Sequence, residues 1–260
     1  MEQNREGNRV SDATVGYPRV CAHRGIHTGI PENSMPAFLA AVAAGAEEIE
    51  LDLWYTADGQ IVSIHDATLE RVSDGTGLVY EHTYEELLRY DFGAKHGEAF
   101  RGLRILTFED ILRELAGKII MNIHVKTVTT TCGYDRGILE QMAALIRRYH
   151  CEDAVYFNAE NDNVLAMAKE VAPEICRCCD GGDEPWDVIG RALRSGCGKV
   201  QLCKPDFDRK IIDEAHRSGI RCNVYWSDDA EETKAFLEMG IDTVLTNRYD
   251  AVTSAVKAKA

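Results

Sequence analysis

The sequence predicts a TIM (β/α)8 barrel, on three observations. Short apolar runs alternate with helical patterns along the chain. Nine such runs occur, one more than the barrel needs, but the gap after the second run is too short for a crossover helix. The length of 260 residues suits one large barrel.

The candidate strands are 19–23, 47–53, 61–65, 118–124, 154–158, 174–178, 199–203, 220–225 and 241–246. Ser34 caps the first helix, with Pro36 in its first turn and Gly45 just past its end. Between 53 and 61 lie seven residues that include Asp58-Gly59, a strong hairpin signal. So 61–65 runs back antiparallel beside 47–53, and the remaining eight strands form the barrel. Residues 66–103 are glycine-rich and break the strand–helix rhythm, which marks them as an insertion on the barrel's C-terminal face. Within them, Thr83 and Glu86 form a capping box for a helix over 84–90. Beyond it come helix 107–116 and helix 229–239, the latter started by Asp228 and stopped by Gly240. Residues 1–16 are polar and aperiodic and read as a loose leader, leaving 17–260 as the barrel domain. The closing residues, AVKAKA, read as a fraying helix end.

The net charge of −14 argues against a nucleic-acid surface. An anionic substrate in such a chain needs positive charge gathered locally, by a cation and a few Arg or Lys side chains. No apolar run approaches the roughly 20 residues of a membrane span, and no secretion signal is evident. Nine cysteines at irregular spacing point to a reduced, cytoplasmic protein. No exposed apolar stripe predicts an oligomeric state.

The chemistry sits where strand alternation goes polar. In 47–53, Ile49, Leu51 and Leu53 share one face and Glu50 and Asp52 the other. The apolar face packs on helices, so both carboxylates point inward near the strand's C-terminal end, where barrel active sites lie. Two buried acids so close call for a divalent cation. In the next barrel strand, Asn122, His124 and Lys126 share the inward face. The hairpin returns His65 to the level of Asp52, and His23 reaches the same rim.

These residues also carry a resemblance. C-A-H-R-G (21–25), P-E-N-S (31–34), E-L-D (50–52), T-A-D-G (56–59), H-D-A-T-L-E-R (65–71) and D-G-T-G (74–77) look like the signature of the glycerophosphodiester phosphodiesterases. T-Y-E-E-L (83–87), F-E-D-I-L (108–112), N-I-H-V-K (122–126) and G-I-D-T-V-L-T-N (240–247) continue it. Each motif alone is weak; their order and spacing together are specific. The resemblance implies metal-dependent hydrolysis of glycerophosphodiesters to sn-glycerol 3-phosphate and an alcohol. His23 and His65 are then general acid and base, and Glu50 and Asp52 hold the metal. Arg24 and Lys126 contact the phosphate, while Glu32 supports the site. The family usually has Glu where this chain has His124. That substitution moves the expected metal from Mg²⁺ or Ca²⁺ toward Mn²⁺, Fe²⁺ or Zn²⁺. His124 is either the third ligand or a hydrogen-bonding partner of the substrate.

Trp226 can roof the pocket or pack in the core; Tyr225 and Gln201 admit the same two readings. Cys176, Cys178 and Cys179 lack the partners of a zinc site and read as buried thiols. His27, His82, His96, His150 and His216 fall in loops or helix ends and receive no role. Two rival functions are a lyase that stops at a cyclic phosphate, like the spider-venom phospholipase D relatives, and a non-catalytic sugar-phosphate binder. The identity of the alcohol is not legible.

Overall fold

The computed structural model describes residues 10–129, 133–181 and 187–257. Nine strands appear in order: β1 (Arg19–Ala22), β2 (Glu48–Tyr55), β3 (Ile61–Ser63), β4 (Ile120–Val125), β5 (Val155–Ala159), β6 (Cys176–Asp180), β7 (Lys199–Cys203), β8 (Arg221–Tyr225) and β9 (Thr243–Thr246). Strand β1 pairs in parallel with both β2 and β9, which closes a ring in the order β1-β2-β4-β5-β6-β7-β8-β9. This is a TIM barrel. The ninth strand, β3, pairs antiparallel with the C-terminal extension of β2, Leu53 opposite Ser63 and Tyr55 opposite Ile61. Gly59 turns the hairpin at φ +80, in the region that favours glycine.

The helices are α1 (Met35–Ala43), α2 (Tyr84–Leu87), α3 (Phe108–Leu115), α4 (Arg136–Arg148), α5 (Asp162–Val171), α6 (Val188–Ser195), α7 (Arg209–Arg217), α8 (Ala230–Met239) and α9 (Tyr249–Lys257). The main apolar core lies between the ring and these helices. Ile49, Leu51, Leu53, Met121, Ile123 and Val125 enter it, so their neighbours on β2 and β4 are left to face the inside of the ring.

Ser34 caps α1 through Ala37 N at 3.3 Å, as the sequence indicates. The insertion carries its own small core: Trp54 and Ile64 from the hairpin pack with Leu69, Val79, Leu87 and Phe92. Its helix is a single turn, Tyr84–Leu87, shorter than the span 84–90. The capping box is present at its start.

Three expectations need correction. Strand β6 runs Cys176–Asp180, two residues later than 174–178. Its two polar neighbours, Arg177 and Asp180, hid the later half of the strand. Helix α8 is capped by Asp229, whose side chain accepts from Glu232 N at 2.8 Å, and not by Asp228. Residues 10–16 are not loose. Val10 N donates to Gly117 O at 3.2 Å and Asp12 N to Asp153 O at 2.8 Å. Asp12 also meets Arg19 at 2.7 Å and Lys199 at 3.1 Å. Those two cations are buried at the N-terminal ends of β1 and β7, and burial of a charge demands such a partner. Residues 1–9 and the last three lie outside the described residues.

Candidate active site

The site forms where β1, β2 and β4 end. Glu50 and Asp52 lie on the inward face of β2, both almost fully buried. His124 stands opposite Asp52 in the β2–β4 register, with its Nδ1 at 3.5 Å from Asp52 Oδ1 and 3.9 Å from Glu50 Oε1. One donor atom from each of these three side chains lies within 4.8 Å of the other two, close enough for one ion. A carboxylate pair plus an imidazole fits a divalent cation that accepts mixed oxygen and nitrogen donors.

The loop after β1 holds this set in place. Gly25 has φ +80, and a Cβ there would come within 2.7 Å of the Ala37 carbonyl carbon of α1, so the close approach requires glycine. Asn33, at φ +52, donates from Nδ2 to Asp52 Oδ2 at 2.8 Å. Its Oδ1 accepts from Asp52 N and from Ser63 Oγ, both at 3.1 Å. One amide thus ties together the loop, β2 and β3. Arg24 donates its backbone N–H to Glu50 Oε2 at 3.1 Å, and its Nε lies 3.5 Å from Asp52 Oδ2. Lys126 Nζ lies 3.0 Å from Asp52 Oδ1 and 3.1 Å from His124 Nδ1.

The electrostatics follow from this crowding. Burial, then repulsion from Asp52, raises the Glu50 carboxyl well above the usual carboxylate range. Burial acts on Asp52 in the same direction, but Lys126, His65 and His124 outweigh it and hold its carboxyl low. Two adjacent acids that cannot both ionise comfortably are what a dication relieves.

The two histidines differ in their partners. His23 Nδ1 lies 2.7 Å from Asn247 Oδ1, and its Nε2 is 3.8 Å from Glu50 Oε2. Burial and the nearby Arg24 push the imidazole down to about 4, so it is neutral at pH 7. His65 Nδ1 instead meets the Asp66 carboxylate at 2.6 Å. Arg71 bonds Asp66 in turn and grips Glu32 with two contacts of 2.8 Å.

His23, Arg24, Glu50, Asp52, His65, His124 and Lys126 line one cleft of about 450 Å³. Glu32 sits behind it, bonded to Arg24 NH1 at 2.9 Å. Trp226 does not line the cleft. Its indole N–H donates to Asp228 at 3.1 Å, and the Lys204 ammonium covers its ring at 5.3 Å while pairing with Glu232 at 2.8 Å. Tyr225 takes the wall position, edge-on to His23 at 5.2 Å between ring centres. Gln201 also lines the cleft.

Reasoning from the sequence missed Asn33, Asn247, Asp66 and Arg71, although each lies inside a quoted motif. It missed Asp180 altogether and gave Asp228 a helix cap in place of its bonds to Asn247. Asp180 was legible: Cys176, Cys178 and Asp180 alternate onto the inward face once β6 is extended by two residues. A separate His–Cys–Asp group, His216, Cys222 and Asp242, is already committed elsewhere. Asp242 accepts from His216, Arg221 and Cys222 N, each at 2.8 Å.

Comparison with known proteins agrees with this geometry. A model of the glycerophosphoryl diester phosphodiesterase family matches residues 23–251. A glycerophosphodiester phosphodiesterase of Caldanaerobacter subterraneus is 30% identical over 92% of this chain and 97% of its own length. One from Bacillus altitudinis is 33% identical over 89% of this chain and 95% of its own. An Oleispira antarctica phosphodiesterase, solved in complex with the product sn-glycerol-3-phosphate, superposes with a TM-score of 0.79 at 23% identity. That match covers 93% of this chain and 97% of the other. A closed barrel, a buried Glu–Asp–His set flanked by two histidines, and a family match over nearly the whole length lead to one conclusion: this chain belongs to the glycerophosphoryl diester phosphodiesterase family.

Proposed function

We propose that this protein hydrolyses glycerophosphodiesters to sn-glycerol 3-phosphate and an alcohol. One observation carries the reading: Glu50, Asp52 and His124 face one another in a cleft that His23 and His65 also line. Glu50, Asp52 and His124 would hold a divalent cation, which would supply positive charge for the phosphoryl oxygens. Relatives with this name and the product held by the Oleispira enzyme support the same substrate class.

The protein's own residues do the rest. Arg24 and Lys126 offset the charge that builds on the non-bridging oxygens as the fifth bond to phosphorus forms. His23 faces a neutral amide on one side, so its Nε2 lone pair is available to take the proton of the attacking water. His65 is backed by the Asp66 carboxylate, which offsets part of the lowering that burial imposes on its imidazole and steadies the charged form during transfer. It therefore gives a proton to the departing alkoxide as the P–O bond breaks. Water adds OH to phosphorus, the alcohol leaves with one proton, and His23 then gives up its proton to solvent while His65 regains one before the next turnover.

The imidazole of His124 favours Mn²⁺, Fe²⁺ or Zn²⁺ over the ions an all-carboxylate set selects. The cysteines described are free thiols, which supports a reducing, cytoplasmic setting. Among the described residues no helix is long and apolar enough to cross a membrane.

The test is a screen of Mg²⁺, Ca²⁺, Mn²⁺ and Zn²⁺ against a panel of glycerophosphodiesters. Metal-stimulated release of sn-glycerol 3-phosphate is expected. His23→Ala and His65→Ala should each lower kcat by about 10²–10⁴, and near-full turnover in both variants refutes the assignment. Phosphorus NMR separates hydrolysis from a reaction that stops at a cyclic phosphate.

A further inference from the structure

The cleft extends past the metal ligands. At the C-terminal end of β6, Asp180 turns its side chain into it, and Glu160 lines the same wall. Asp180 is 3% exposed. Its oxygens accept only from neutral groups: Gln201 Nε2 at 2.6 Å and Asn158 Nδ2 at 3.4 Å on Oδ2, and Cys203 Sγ at 3.6 Å on Oδ1. Among the described residues it makes no ion pair.

The other buried acids show what is unusual here. Glu48 faces Arg19 at 3.4 Å, Asp52 faces Lys126 at 3.0 Å and Asp242 faces Arg221 at 2.8 Å. Glu50 pairs with no Lys or Arg among the described residues, and it is the acid that faces the metal position. Buried carboxylates are normally offset by a cation. Asp180 has no such direct partner: burial raises its carboxyl, Lys126 offsets this only in part, and a cation entering the cleft would complete the pairing.

That cation is either organic or a second metal ion, since donor atoms of His124, Glu160 and Asp180 also lie within 4.8 Å of one another. Three features favour the organic one. His124 already serves the first set. The Lys126 ammonium, already against Asp52 and His124, acts on Asp180 as well, and a second dication there would meet both it and the ion of the first set. Tyr225 and Leu245 line the same cleft, and an aromatic face with apolar surface suits the carbon shell of an alkylammonium.

We propose that Asp180 forms a subsite for a positively charged substituent on the alcohol half of the diester, so that this chain prefers esters of amino alcohols to those of neutral polyols. This rests on the hydrolytic reading above. The preference should be about tenfold or more in kcat/KM, the worth of a desolvated alkylammonium held against a carboxylate and an aromatic face.

The experiment compares wild type and Asp180→Asn on glycerol 3-phosphate esterified to choline, ethanolamine, glycerol and inositol. Wild type should favour the first two by about tenfold or more. In D180N that ratio should approach one, chiefly through KM, with a thermal melt confirming the fold. Equal wild-type rates for both classes, or an equal loss on all four esters in D180N, overturns the subsite and leaves hydrolysis standing. Failure of wild type to cleave any of the four with any divalent metal sinks the hydrolytic reading instead. Calorimetric titration with Mn²⁺ supplies a further arm. One site in both proteins is expected, and a second site lost in D180N assigns Asp180 to a metal and overturns the ammonium.

Discussion

Asn247 Oδ1 lies 2.7 Å from His23 Nδ1, and this contact fixes which imidazole nitrogen faces Glu50, 3.8 Å away. The amide cannot turn over, because its Nδ2 is committed to Asp228 Oδ2 at 3.2 Å while Asp228 Oδ1 takes Asn247 N at 2.7 Å. The oxygen therefore faces the ring, His23 Nδ1 must carry the proton, and Nε2 is left with its lone pair. Asn247→Ala frees the ring to rotate. Its kcat should fall about 10- to 100-fold, the range in which small misplacements of a reacting group act, with KM little changed. Asp228→Asn should move kcat the same way by less. Steady-state kinetics decide it, and wild-type kcat in N247A removes Asn247 from the machinery.

Asn33 does for Asp52 what Asn247 does for His23. Its three hydrogen bonds, to Asp52 Oδ2, Asp52 N and Ser63 Oγ, set the direction of a carboxylate proposed to hold the metal. Partners of this kind are worth about 10- to 100-fold in metal affinity. Asn33→Ala should weaken Mn²⁺ binding by that factor in a calorimetric titration and lower activity at limiting metal. Excess metal should restore most of the rate. A loss that no metal concentration recovers places the effect in the loop's fold.

How much of this was legible in the sequence depends on which force set each feature. Alternation alone put Glu50, Asp52 and His124 on the inside of the ring, because the apolar residues between them have only the helical layer to enter. The β3 hairpin was legible because seven residues cannot carry a crossover. Asn33 and Asn247 lay in plain view inside motifs, yet their roles come from bonds between distant strands, which no local pattern encodes. Trp226 failed as a roof for a similar reason: Lys204 and Glu232, on other elements, claim it. Residues 10–16 of the leader were misread because two of their partners, Asp153 and Lys199, lie far along the chain, so a polar aperiodic stretch became an ordered clasp.

That clasp has a pH signature. On its own, burial raises the Asp12 carboxyl, but Lys199 and Arg19 outweigh it and hold Asp12 below the usual carboxylate range. A carboxyl depressed in the fold contributes stability that is fully present above its unfolded value of about 3.9 and is lost as pH falls through the lower folded value. Asp12 is partly exposed, so the effect is modest. Asp12→Asn should lower Tm at pH 7 by about 2 °C. The gap between variant and wild type should narrow as pH drops below about 3.9. A gap that stays constant into acid assigns the clasp to backbone contacts.

His124 offers the sharpest test of the metal set, because it sets the one nitrogen donor beside two carboxylates. Its Nδ1 sits between Asp52 and Glu50 on one side and the Lys126 ammonium, 3.1 Å away, on the other. An imidazole brings a softer, neutral donor to the ion. His124→Glu replaces it with an anionic oxygen, making the set all-carboxylate and better matched to Mg²⁺ or Ca²⁺. The ratio of kcat/KM with Mn²⁺ to that with Mg²⁺ should fall by about tenfold in the variant. Lys126 also gains a second carboxylate within reach, and Mg²⁺ turnover should stay intact. If the ratio does not move, His124 is not a ligand. Its role is then to accept from Lys126, and Glu50 and Asp52 are the only side chains of the three that grip the ion.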